Sequence, residues 1–183
     1  MKQFVLIILA GLLFVLLSSF MGNSFSPERK MAFQIIRQIT DKYEKKYGMH
    51  LSGVSEVSPT GKYENLGFNL EIYRKLSKDE GRKILLELVD DTLNAFNNNP
   101  AFSQYMKTYP FTGHNTVITI FIKPPKNPDV YHPDIKIFSF YNDILWFKTD
   151  TPETHKKLGF YFTEDRETLE EARAIVEAQR QEK

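Results

Sequence analysis

The side chains best suited to proton transfer or metal binding near neutral pH are four histidines, His50, His114, His132 and His155. They stand singly. No two share the i, i+4 or short-loop spacing that zinc ligation uses. His132-Pro133-Asp134 sets an imidazole near a carboxylate, but in a proline-rich loop, where such a pair reads as surface. Glu87, Asp90 and Asp91 group carboxylates on one helical segment, on the side its pattern assigns to solvent. Paired-carboxylate catalysis needs a desolvated cleft that moves one pKa away from the other, and no neighbouring residues suggest one. Cysteine is absent, which excludes disulfides, thiol catalysis, Cys-bound zinc, iron–sulfur clusters and a lipidated N-terminal cysteine. No G-x-S-x-G, phosphate-binding glycine loop or dinucleotide fingerprint occurs. The residues point to no catalytic set, no cofactor and no metal site.

Recognition is the other kind of chemistry to look for. Tyr105–His114, YMKTYPFTGH, crowds Tyr105, Tyr109 and Phe111 into a loop ahead of His114. Loops on a rigid scaffold often carry recognition, but loop aromatics also anchor loops to cores. Trp146, with Phe138, Phe140 and Phe147, raises the same choice. If both faces of that hairpin are apolar, the second is covered by the domain, a partner or lipid. Tyr105, Tyr109, Phe111, His114 and Trp146 are therefore the candidate interaction residues.

The elements that position them follow from periodicity. Leu76–Pro100 is an amphipathic helix, with Ser77 and Glu80 as a capping box and Leu85, Leu88, Val89, Thr92, Leu93 and Phe96 on one face. Asn97-Asn98-Asn99-Pro100 stops it. An earlier helix opens at Ser26-Pro27, carries Ala32, Ile35, Ile36, Ile39, Tyr43 and Tyr47 as its stripe, and stops at Gly48. Strands are expected over 49–58, 65–75, 115–122, 134–141 and 144–150, with a turn at Pro59-Thr60-Gly61 and a two-residue hairpin turn at Asn142-Asp143. The prolines of 123–133 make a stiff connection outside any ladder. Phe160-Tyr161-Phe162 reads as a short edge strand or an aromatic plug. From Thr163 the chain reads as a last helix, acidic in its first turns and frayed beyond about Ala178.

The chain begins with a different kind of segment. Phe4–Gly22 is nineteen residues without charge or proline, after Lys2. As a helix it spans about 28 Å, close to the hydrocarbon thickness of a bilayer. Its length favours a signal anchor. Gly22-Asn23-Ser24 is the one tolerable signal-peptide cleavage site, before Phe25. The division is then 1–25 as anchor or signal peptide and 26–183 as a single domain, long enough for a core of its own. The formal charge of +1 gives no reason to expect nucleic acid. Residues 28–47 carry six cations against three carboxylates, a face that is either simply solvated or in reach of anionic head groups. The acidic last helix and this basic one are expected to be able to lie side by side.

The order of leader, Ser-Pro start, two strands, capped helix, Asn97–Pro100 and Tyr109–Thr112 (YPFT) resembles a group of small exported bacterial proteins of unknown function. The likeness covers about residues 26–150 and brings no catalytic or binding residues with it. The fold class expected is α+β: a mostly antiparallel sheet of about five strands with helices on one face, preceded by the hydrophobic helix. The stretch from the second strand through the helix to 115–122 is long enough for a crossover, which would make one pairing parallel. The function expected is a membrane-anchored or exported, non-enzymatic protein-interaction module facing the periplasm or exterior. Its partners are a membrane through residues 4–22 if uncleaved, and a protein. The alternative is a small-ligand domain, enzymatic or not, with a pocket between sheet and helices.

Overall fold

In a computed structural model, residues 25–125, 130–153 and 163–181 are described. The anchor segment 4–22, the cleavage motif Gly22-Asn23-Ser24, Pro128, His155 and Phe160–Phe162 lie outside them.

Helix α1 (Pro27–Tyr47) starts with proline at its first position and ends at Gly48, whose φ of 70° is the left-handed stop that glycine adopts without strain. Strands β1 (Met49–Val57) and β2 (Asn65–Ile72) form an antiparallel pair with a register shift between Leu51 and Gly53. Helix α2 (Lys78–Asn97) follows, then a single turn, α3 (Pro100–Ser103). Strand β3 (Thr116–Ile122) lies parallel to β2, the one parallel pairing of the sheet. A long crossover through α2 is what allows it. Strands β4 (Ile137–Tyr141) and β5 (Ile144–Thr149) form a hairpin in which Asn142 and Asp143 have φ of 53° and 57°. Two positive φ values in a two-residue loop are the turn that matches strand twist, and Asn and Asp tolerate them.

The sheet has six strands, in spatial order β1 to β6, so the expectation of about five is corrected. The added strand is β6 (Thr163–Thr168), TEDRET, antiparallel to β5; helix α4 (Leu169–Gln181) begins only after it. Charged residues have poor intrinsic strand preference, so this segment looked helical. Pairing with β5 overrides that preference, and charges on an edge strand discourage further pairing.

Alternation decides which face is covered. Leu66, Phe68, Leu70 and Ile72 of β2, Ile118, Ile120 and Ile122 of β3, Phe138 and Phe140 of β4 and Leu145 and Phe147 of β5 are buried. They form one contiguous core with Ile36 and Tyr43 of α1, Leu85, Leu88, Val89 and Phe96 of α2, and Ala172 and Val176 of α4. Gly81 of α2 is needed for this approach: a Cβ there would sit 2.0 Å from the Phe138 ring. The opposite face carries Val117, Phe121, Ile144 and Trp146, each half-buried. Helix α2 contacts both α1 and α4. The acidic last helix therefore docks on α2, and not on the basic first helix as the charges suggested.

Candidate functional site

Strand direction determines which loops meet. Starts of β2, β3 and β5, ends of β1, β4 and β6, the start of α1 and the end of α2 all lie at one end of the sheet. The Arg29–Glu56 ion pair at 3.0 Å ties the first turn of α1 to the end of β1 there. This is the entry end, where the described chain begins at Phe25. The opposite, far end holds His50, Tyr73 and the start of α2.

The aromatic loop is built at the entry end around Asn97. Its side-chain amide donates to the Phe111 carbonyl and accepts from the Phe111 N–H, both at 2.8 Å. This clamp sets Phe111, 2% exposed, edge-on to Phe96 with ring centres 6.0 Å apart. Phe102 extends the cluster to Phe96, Tyr63 and Tyr105 at 5.3, 5.6 and 6.1 Å. Tyr105 is half-buried against that core. The Tyr109 hydroxyl donates to the Asn97 carbonyl at 3.0 Å, yet 57% of the residue is in solvent. His114 is exposed, its Nε2 3.1 Å from the Asp143 carboxylate of the hairpin turn.

Four of the five candidate residues are thus brought together: Phe111 and Tyr105 as supports, Tyr109 and His114 at the surface. Trp146 is not among them. It lies midway along β5 on the opposite face, with the Lys148 ammonium and the Arg166 guanidinium each 5.6 Å from its ring centre. Exposed apolar surface follows the same division. Phe25, Val57, Tyr109 and Tyr141 are the large exposed hydrophobics at the entry end, and Tyr73 is the one at the far end, among the described residues. Phe25 stacks on Phe33 at 5.5 Å with the Arg29 guanidinium 4.8 Å from its ring centre.

The charged groups of α2 are occupied differently from the sequence expectation. Glu87 and Asp91 do not face open solvent. Asp91 accepts from the Tyr43 hydroxyl at 2.8 Å and from Lys42 at 2.6 Å. One turn back, Glu87 accepts from the Tyr47 hydroxyl and from Lys46, both at 2.8 Å. Asp90 pairs with Arg173 of α4 at 2.5 Å. The side of α2 that pointed away from the sheet is a seam with two other helices. Burial pushes the Glu87 carboxyl up, and hydrogen bonds from Lys46 and Tyr47 outweigh it, leaving it below the usual range. Of the cations on α1, Arg29, Lys42 and Lys46 are therefore engaged in ion pairs. The capping box is half made. Ser77 accepts from the Glu80 N–H at 3.1 Å, but the Glu80 carboxylate pairs with Arg74 at 2.6 Å.

The strongest electrostatic feature escaped the sequence reading. Arg82, on the buried side of α2, donates from Nε and Nη2 to the two oxygens of Glu167 on β6, at 2.6 and 2.7 Å. Their side chains are 4% and 10% exposed. Asp79 takes a further Arg82 N–H, and Lys78 bridges Glu167 and Asp165 at 2.8 and 2.6 Å. The Phe147 ring lies beneath, 4.7 Å from the Lys78 ammonium. Burial pushes the Glu167 carboxyl up, but Arg82 and Lys78 hold it below the usual carboxylate range. The available signal was a cation within the apolar stripe of α2, which has to find a partner. This network ties α2 to β6, with a donor for each carboxylate.

Elsewhere, Asp134 of the His132-Pro133-Asp134 run pairs with Lys75, and the His132 N–H donates to the Asp150 carbonyl at 2.8 Å. His50 lies 3.0 Å from Glu44. A surface groove of about 250 Å³ between α2 and α4 is lined by Leu86, Asp90, Arg173 and Val176 among others. Among the described residues, no group of three or more His, Asp or Glu could hold a metal ion, and no helix is long and apolar enough to cross a membrane.

Comparison with protein families, curated proteins and solved structures finds no match to this chain.

Proposed function

We propose that this chain is a non-enzymatic interaction domain, held at a membrane or exported by residues 4–22, whose contacts are made at the entry end of the sheet. One observation carries the reading. The exposed large side chains Phe25, Val57, Tyr109 and Tyr141 gather at the end where the apolar N-terminal segment joins the domain. Phe68, Phe96, Phe102, Phe111, Phe138, Phe140 and Phe147 are buried in the core, which leaves the exposed set above as the large apolar side chains offered to a partner at that end, among the described residues. The charged side chains described above tie element to element: α1 to α2, α2 to α4 and α2 to β6. The apolar segment 4–22 supports an extracytoplasmic placement, facing the periplasm or exterior. Retention of 4–22 leaves the domain on the membrane; cleavage near Ser24 releases it.

The test is a photo-crosslinking amino acid placed at Tyr109 in the full chain and, as a control, at Tyr73. Adducts at position 109 and none at 73 are expected from cells. Equal labelling at both positions, or none at either, removes the assignment of the contact surface. Phe111 is unsuitable as a probe, because at 2% exposure its replacement reports on folding.

A further inference from the structure

The geometry points to a phospholipid interface as what the entry end touches: Phe25, Val57, Tyr109 and Tyr141 rest at the head-group level when residues 4–22 span the bilayer. The inference rests on the tethered reading above and adds which surface faces the membrane and by what chemistry.

Gly22 and Pro27 are five residues apart, which at full extension is about 17 Å. The start of α1 therefore stays within that distance of the last apolar residue of the tether. Helix α1 is 21 residues long, so its other end lies about 31 Å farther along its axis. Strand β2 adds the same conclusion, with eight residues covering about 26 Å between the entry end and Tyr73. The entry end sits within reach of the interface, and the far end is held away from it whenever the domain stands on its tether.

Composition points to the same surface. Tyrosine and other amphipathic aromatics favour the bilayer interface, where a ring is partly desolvated and a hydroxyl stays wet. Tyr109 and Tyr141 match this requirement, and Phe25 and Val57 extend the apolar surface toward the tether. Charge does not supply the attraction. Arg29, Lys30, Lys62 and Lys107 stand at this end beside Glu28, Glu56, Glu64, Asp143 and, at the start of α4, Glu170 and Glu171. Arg29 pairs with Glu56, and Lys107 with Glu64. Lys42 and Lys46, which made α1 look basic, lie more than about 20 Å from its start and are engaged by Asp91 and Glu87. A contact of this kind is apolar and independent of salt, unlike a polybasic docking site.

The absence of cysteine makes the test clean, since any introduced thiol is unique. The full chain is reconstituted into phosphatidylcholine vesicles with one cysteine at a time, Val57→Cys, Tyr109→Cys, Tyr141→Cys or Tyr73→Cys, each carrying an environment-sensitive fluorophore. The expected result is quenching of roughly two-fold or more by spin-labelled lipid at 57, 109 and 141, with protection from aqueous iodide. The probe at 73 is quenched by iodide alone, and the pattern is unchanged from low to high salt. Three independent sites keep the test valid if one variant fails to fold. Equal iodide quenching at all four sites in a chain that floats with the vesicles overturns the inference and leaves the tether standing. Shielding that appears only in native membranes assigns the surface to a protein neighbour and also overturns it. A chain that does not float with the vesicles overturns the inference together with the membrane-held form of the proposed function.

Discussion

Breaking the Arg82–Glu167 pair from either side is expected to cost far more than an ordinary surface substitution, and removing both partners together far less. The two side chains are 4% and 10% exposed, and both oxygens of Glu167 accept from the guanidinium at 2.6 and 2.7 Å. Deleting one member of such a pair leaves a buried charge without its counter-ion, which costs about 3–5 kcal/mol. Lys78 stays 2.8 Å from Glu167, and Asp79 stays beside Arg82, so the lower part of that range applies to either single change. Arg82→Met or Glu167→Leu is therefore expected to cost about 3 kcal/mol. With a urea slope of about 2 kcal/mol per molar, each single variant moves the unfolding midpoint down by about 1.5 M. The double variant places two apolar side chains over Phe147 and returns to within about 1 kcal/mol of the starting protein. Urea denaturation of the three variants, closed as a double-mutant cycle, is expected to read a coupling of about 5 kcal/mol, the sum of the two single losses less that of the double variant. Single-variant losses below about 1 kcal/mol, or strictly additive effects, would mean that the pair is solvated and not a buried tie.

Acid should act through the same groups. Glu167, Glu87, Asp165 and Asp79 all have carboxyls held below their usual range by neighbouring hydrogen-bonded cations, against the opposing effect of burial. Such groups add stability in full above their unfolded pKa, about 4, and lose it as pH falls through the lower folded value. The urea midpoint is therefore expected to be flat from about pH 8 to 5 and to fall below about pH 4, less steeply in Glu167→Leu. Gly81→Ala puts a Cβ 2.0 Å from the Phe138 ring and is expected to destabilise by about 1–3 kcal/mol, read by thermal melting; an unchanged melt contradicts the packing. Asn97→Ala removes both hydrogen bonds to Phe111 and is expected to cost about 1–2 kcal/mol and to open 105–115 to limited proteolysis. Tyr43→Phe, which deletes the hydroxyl donor to Asp91, is expected to cost about 1 kcal/mol in the same denaturation assay.

The legible parts of this fold were those where local preference and tertiary demand agree. Alternation in Leu66–Ile72 and the helical stripe Leu85–Phe96 each bury the residues that their period picks out. Gly48 stops α1, and Asn142-Asp143 turns the hairpin, for reasons contained in two residues. The illegible parts depend on contacts distant in sequence. TEDRET becomes a strand because β5 offers it a partner, and nothing within those six residues announces it. Glu87 and Asp91 looked solvated because amphipathicity separates one buried face from the rest, and cannot show that a second helix adjoins the polar side. In the candidate site, exposure separated residues that composition had grouped. Phe111 is anchored by Asn97, fourteen positions away, Tyr109 stands in solvent beside it, and Trp146 belongs to another surface.

The tethered reading is tested most directly by the intact mass of the mature chain recovered separately from membrane and soluble fractions. The full-length mass, with residues 4–22 retained, is expected in the membrane fraction. A mass that begins near Phe25, found in the soluble fraction, would overturn the membrane contact and make this a released domain whose entry end faces water.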